Sequence, residues 1–179
     1  MAAFYLKIFL AVFSVVFAGA VGINLFALAP AEAFSGALYP AVFFASIMAF
    51  AAGPVHVMLS KKIAGGGRGP EIYRTRQSEE IAVSLGYEKL FSLAHRYLRE
   101  EAGFEILEAD ARARRITAKS SPSFKTLGNI ITLEFAETGP DSTGLKISSR
   151  PRLAAVMLDY GENLQIVLKA KQYLLENSG

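Results

Sequence analysis

Few side chains in this sequence are of a type and spacing that could do chemistry. The chain has two histidines, His56 and His95, and no cysteine, which excludes thiolate nucleophiles, disulfides and thiolate-ligated metals. His95 stands beside Arg96 on a predicted helix. The carboxylate pairs Glu79/Glu80 and Glu100/Glu101 are adjacent in sequence, so their side chains point apart instead of converging on a reacting atom. Asp159, Gly161 and Asn163 surround the start of a predicted helix, where they could receive a ligand or simply cap it. The glycine run at 65–69 lacks the Lys-Ser/Thr ending, the preceding strand and the following helix of a phosphate loop. An enzyme needs convergent acid-base, nucleophilic or metal groups. The expectation is that this is not an enzyme.

These residues depend on apolar elements for their position. Residues 8–28 and 37–59 are uncharged runs, each long enough to span the roughly 30 Å hydrocarbon core as a helix. Between residues 8 and 59 Glu32 is the only formal charge. A cleaved leader is the alternative for the first run, with Ala31-Glu32-Ala33 as a small-x-small site. Its length and the single Lys7 before it favour a retained helix. In the second run Ala41, Ala45, Ala49 and Gly53 recur every fourth residue and line one stripe. The first carries Ser14, Ala18 and Gly22 at the same spacing. In lipid, helices associate by close backbone approach, so the two stripes predict a tight antiparallel hairpin. Phe9, Phe13 and Phe17 are assigned to a different face, towards lipid or another protein. Ala52 and His56 have an A-x-x-x-H spacing similar to that by which light-harvesting polypeptides ligate bacteriochlorophyll, and a membrane histidine can also hold haem. Pro54 breaks that stretch, so a pigment or haem at His56 is the weaker reading and an interfacial or helix-bonding histidine the stronger.

The flanks give an orientation. The connector 29–36 has no Lys or Arg, whereas Lys61, Lys62, Arg68, Arg74 and Arg76 follow the second run. Positive charge marks the cytoplasmic side. A multi-pass protein of a bacterial inner membrane is expected, with both termini cytoplasmic. The glycine-rich strip 60–76 carries +4 and accounts for the chain's net +3, since residues 77–179 sum to −1. Its expected contact is with anionic lipid headgroups, not nucleic acid. The domains are then a hairpin at 1–59, a basic linker at 60–76 and a cytoplasmic domain at 77–179.

In that domain a strand is expected at 79–85 and a helix at 87–101 ended by Gly103. A hairpin at 104–120, strands at 129–137 and 145–151, and a closing helix at about 160–176 follow. Leu164, Val167, Leu168, Lys171 and Leu175 form the stripe of the closing helix, and Asp159 with Glu162 could make a capping box. The order β-α-β-β-β-β-α predicts an α+β fold, an antiparallel sheet with two helices on one face. Arg112, Arg114, Arg115, Lys119 and Lys125 form a basic cluster near one hairpin. The tail resembles the end of a family of uncharacterised bacterial and plastid proteins, in Ser149, Arg150, Asp159, Tyr160, Gly161 and Asn163 before a closing helix. The resemblance implies a fold and no activity. The intervening segment 152–158 is apolar but for Arg152, and Leu153, Val156 and Met157 are expected to be covered by a partner or by the membrane surface.

Two functions fit. The leading one is a non-catalytic accessory or scaffolding subunit of a larger membrane complex, whose hairpin docks among other integral membrane subunits while the domain braces the cytoplasmic face. The alternative is a membrane-tethered binding module with an apolar ligand, such as a lipid, between sheet and helix. A cavity lined by Ile131, Leu133 and Ile147 would favour the second; a packed core there would favour the first.

Overall fold

The structure is a computed structural model, and it describes residues 2–65, 69–123, 126–156 and 158–178, with side chains from residue 5 onward. The chain divides into two compact units, Met1–Met58 and Leu59–Gly179.

The first unit is a helix pair. α1 spans Ala2–Asn24, and α2 spans Pro30–Ile47. A π-helical turn, Met48–Ala52, leads into α3, Gly53–Ala64, so the helical run is continuous from Pro30 to Ala64. Two segments, Tyr5–Asn24 and Pro30–Ala64, are long and apolar enough to cross a membrane. The expected connector 29–36 is not a loop. Pro30, whose missing N–H costs nothing at the first helical position, starts α2 there, and the chain reverses at 25–29. The second helix also outruns its expected end at residue 59. The π-helical turn has a local cause: Pro54 cannot donate to the preceding turn and its ring crowds it. The turn widens, and Gly53 N–H donates to Met48 O five residues back.

Ala41, Ala45 and Ala49 are buried, and the stripe extends backwards to Ala33 and Ala37. A Cβ at Gly53 would fall 2.7 Å from the Tyr5 ring. The partner face is not the expected one. Ser14, Ala18 and Gly22 are exposed, and nothing lies within 4 Å of a Cβ built on Gly22. α1 instead turns inward Ile8 together with the half-buried Val12, Val16, Ala20 and Asn24. Phe9, Phe13 and Phe17 stack in a row at 6.1 and 5.4 Å, half-buried, and Phe17 meets Phe34 of α2 at 6.1 Å. The packing is therefore small against large: a bare stripe on one helix makes room for bulk on the other, where two bare stripes would leave voids. Asn24 Nδ2 donates across the pair to Ala33 O at 3.3 Å.

The second unit is α+β. Its strands are β1 (Gln77–Val83), β2 (Glu105–Asp110), β3 (Arg115–Lys119), β4 (Asn129–Gly139) and β5 (Ser142–Pro151). They form one antiparallel sheet in the order β1-β5-β4-β3-β2. α4 (Tyr87–Arg96) runs through a second π-helical turn, Tyr97–Glu101, and α5 spans Glu162–Glu176. Gly103, at φ 65°, turns the chain so that Phe104 N–H closes on Leu98 O at 2.7 Å. Alternate residues of the strands, among them Ile116, Ile131, Leu133, Leu145 and Ile147, share one core with Leu90 and Leu98 of the first helix and Val167, Ala170 and Leu174 of the second. Both helices thus lie on one face, in the expected element order. β1 begins at residue 77, two residues before the expected start. The stripe of α5 is rotated from expectation: Leu175 is exposed, and Lys171 reaches the sheet only through an ion pair with Glu79 at 3.0 Å.

Ala45→Leu forces a bulky side chain into the buried stripe and should destabilise the helix pair by about 1–3 kcal/mol, the usual cost of overpacking. Ala18→Leu, on the exposed side of α1, should leave it unchanged. Thermal melting of both variants in detergent, followed by helical circular dichroism, checks this; equal melting curves would show that the stripe bears no contact.

Candidate functional site

The buried polar residues of the second unit gather where β5 ends and α5 begins. Ser149, the β5 residue paired with Gln77, donates from Oγ to Asn163 Oδ1 at 2.6 Å. Asn163 Nδ2 donates to Asp159 Oδ2 at 2.9 Å, and Asn163 N–H to the same oxygen at 3.0 Å. Asp159 Oδ1 accepts from Gly161 N–H at 3.2 Å. Asp159 and Asn163 are fully buried. The carboxylate thus satisfies backbone donors of the first turn of α5, which otherwise have no partner. Its role is that of a cap. The expected capping box does not form, because Glu162 is drawn elsewhere: its Oε2 accepts from Ser123 Oγ at 2.7 Å and Thr126 Oγ1 at 3.2 Å.

Gly161 adopts φ 79°, and a Cβ there would stand 2.7 Å from Ile63 Cδ1 and 3.2 Å from Ser60 Cα. The turn therefore packs directly on Ser60 and Ile63 in the last two turns of α3, which from Leu59 onward belong to the second unit. Glycine is required twice over, by the left-handed backbone and by the close approach. The segments at 120–128 and 152–158 meet at the same place. Arg152 N–H donates to Gly128 O at 2.9 Å, and Asn129 pairs with Pro151. One end of the domain thus collects the end of α3, the starts of β1 and β4, the end of β5 and the N-terminus of α5.

Of the residues expected to meet headgroups, Lys61, Lys62, Arg74 and Arg76 are exposed; Arg68 lies outside the described residues. Of those expected to dock, Leu153 is exposed and Val156 half-buried, while Met157 lies outside the described residues. Leu127, next to Gly128, is exposed too, and a lone leucine in a loop carries no pattern by which the sequence could have marked it. Of the basic cluster, Arg114 pairs with Glu137 at 2.7 Å, Arg115 with Glu108 at 2.9 Å and Lys119 with Glu105 at 2.9 Å; Arg112 is exposed, and Lys125 lies outside the described residues. Glu79 and Glu80 diverge as expected, to Lys171 and Lys146. His56 is fully buried. Among the described residues no three or more His, Asp or Glu side chains group as a metal site.

Ile131, Leu133 and Ile147 are closed within the core. A groove of about 610 Å³ lies elsewhere, between the end of α4 and α5, lined by Tyr97, Phe104, Tyr173, Glu101, Lys169 and others. The rings of Tyr97 and Tyr173 are 4.7 Å apart, and burial, then Tyr173, holds the Tyr97 hydroxyl above its ordinary pKa.

Neither the family models nor the curated proteins give a match. Among solved structures, the chain is similar to norcoclaurine synthase from Thalictrum flavum, with TM-score 0.39 and 14% identity over 62% of this chain and 92% of that one. An aromatase/cyclase from a Streptomyces species gives 0.38 and 13%, over 57% and 92%. A START superfamily protein from Mycobacterium smegmatis gives 0.33 and 19%, over 56% and 97%. At these scores the likeness assigns neither a ligand nor a reaction.

Asp159→Ala should strand the donors of Gly161 and Asn163, at about 1–3 kcal/mol for each buried donor left unpaired, while Ser149→Ala should cost nearer 1 kcal/mol. Urea unfolding of the two variants checks the order, and a milder Asp159 variant would dismiss the cap. The fold retains the Tyr97 proton more tightly than the unfolded chain, so that part of the stability is present below about pH 10 and lost as pH rises through the raised value. Tyr97→Phe should flatten the alkaline fall in melting temperature; an unchanged slope would rule this out.

Proposed function

We propose that this protein is a non-catalytic accessory subunit of a membrane complex, anchored by α1 and the run from α2 through α3, with its α+β domain against the cytoplasmic face. The observation that carries the reading is the outer surface of the helix pair. Val15, Ile23, Phe26, Tyr39 and Phe50 are each more than two-thirds exposed, a surface water would not tolerate and that lipid or neighbouring helices would cover. Lys61 and Lys62 in the last turn of α3, and Arg74 and Arg76 after it, support a cytoplasmic domain in a bacterial inner membrane, with anionic headgroups as their partners. The carboxylates of the domain support a structural role, since Glu79, Glu105, Glu108 and Glu137 are each held by a Lys or Arg. The packed positions of Ile131, Leu133 and Ile147 favour this reading over a module that holds an apolar ligand between sheet and helix.

Purification of the full chain in mild detergent should bring down a defined set of integral membrane proteins. Recovery of this chain alone, with an apolar small molecule bound, would turn the reading to the binding module. A reporter fused after residue 179 should be active only in the cytoplasm, and periplasmic activity would invert the topology.

A further inference from the structure

The segments at 120–128 and 152–158 leave two leucines in the open, Leu127 at 58% and Leu153 at 45% exposure. Each is next in sequence to one partner of the Arg152–Gly128 hydrogen bond. Glu162 grips the first loop through Ser123 and Thr126, and the Asp159 network anchors the second. Arg150 and Arg152 are exposed on the second loop and the strand before it, and Arg74 and Arg76 precede β1 at the same end of the sheet.

The contact at Gly161 sets the depth of this end. Ser60 and Ile63, which meet it, flank Lys61 and Lys62 on α3. If those lysines stand at the headgroup level, the turn at Gly161 stands there too, and the segment that carries Leu153 runs directly into it. Exposed leucines and exposed arginines at one end of the sheet match the two layers of an anionic membrane surface, acyl chains beneath and phosphates above.

We infer that Leu127 and Leu153 insert into the interfacial layer of the cytoplasmic leaflet while Arg150 and Arg152 meet lipid phosphates. This rests on the membrane-spanning reading of the helix pair. Its occupant is the lipid surface and not a protein.

The absence of cysteine from the chain makes the test direct. Full-length single-cysteine variants Leu127→Cys and Leu153→Cys would carry a polarity-sensitive fluorophore, in vesicles of phosphatidylglycerol and phosphatidylethanolamine with some spin-labelled lipid. Leu107→Cys and Leu175→Cys, at exposed leucines on the edge strand and near the far end of α5, report water, and Ala18→Cys reports the span. Labels at 127 and 153 should be blue-shifted and quenched by the spin-labelled lipid, those at 107 and 175 should be neither, and the Arg150→Gln, Arg152→Gln double change should weaken the quenching. Water-like emission at 127 and 153 with a quenched label at 18 would overturn the inference, leave the span intact and free the two leucines for a protein partner. Water-like emission at 18 as well would remove the span and the inference together.

Discussion

The second unit depends on one buried carboxylate. Asp159 sits between the end of β5 and the start of α5, and accepts from Gly161 and from both the backbone and the side chain of Asn163. Burying such a group is costly unless it is hydrogen-bonded, so the donors around it are as necessary to the carboxylate as it is to them. Asn163 in turn passes the constraint to β5 through Ser149. The backbone at 159–163 is left with one conformation, and that conformation needs the left-handed turn at Gly161. Only with Gly161 in place can Ser60 and Ile63 approach as closely as they do. A single polar cluster thus fixes a strand end, a helix start and the end of α3.

Much of the fold could be read from period and punctuation. The alternation of Ile131, Leu133 and Phe135 and the helical spacing of Leu90, Ala94 and Leu98 required no tertiary knowledge. Gly103 announced its own role, because a left-handed residue after an apolar helix is the common way to end one. What failed were choices made by long-range partners. Leu175 and Lys171 satisfy a helical period as well as Ala170 and Leu174 do, and only the position of β1, which offers Glu79 to Lys171, decides between them. Glu162 at the third position after Asp159 is a capping-box spacing, yet Ser123 and Thr126, close to forty residues away in sequence, compete for it successfully.

The helix pair shows the same limit. The alanine stripe of α2 was legible because repetition at four residues survives any orientation of the partner. Which face of α1 meets it was not, since Ser14, Ala18 and Gly22 offered an equally regular stripe. Packing density decides. Two bare stripes in contact leave unfilled space or demand a very close approach, whereas alanines facing Ile8 and the larger side of α1 fill the interface at ordinary separation. The second polar signal, Asn24, agrees with the structure's choice, because its amide reaches Ala33 O only when that face of α1 turns inward.

The two halves of the site differ in how they could be recognised. Asp159, Gly161 and Asn163 stood out by residue type, and their role proved to be internal: they use up their hydrogen bonds on the fold. Leu127 did not stand out at all, because a solitary leucine next to Gly128 has no period and no motif. It becomes meaningful only when the Arg152–Gly128 hydrogen bond joins the two segments that carry it and Leu153. Residues that hold a domain together advertise themselves, since few side chains can satisfy a buried carboxylate or a left-handed turn. Residues that meet a fluid, sequence-blind surface such as a lipid interface need only be apolar or basic, and many arrangements serve equally well. The part of this chain that is chemically most specific is therefore the scaffold, and the surface it holds in place is specific mainly in where it sits.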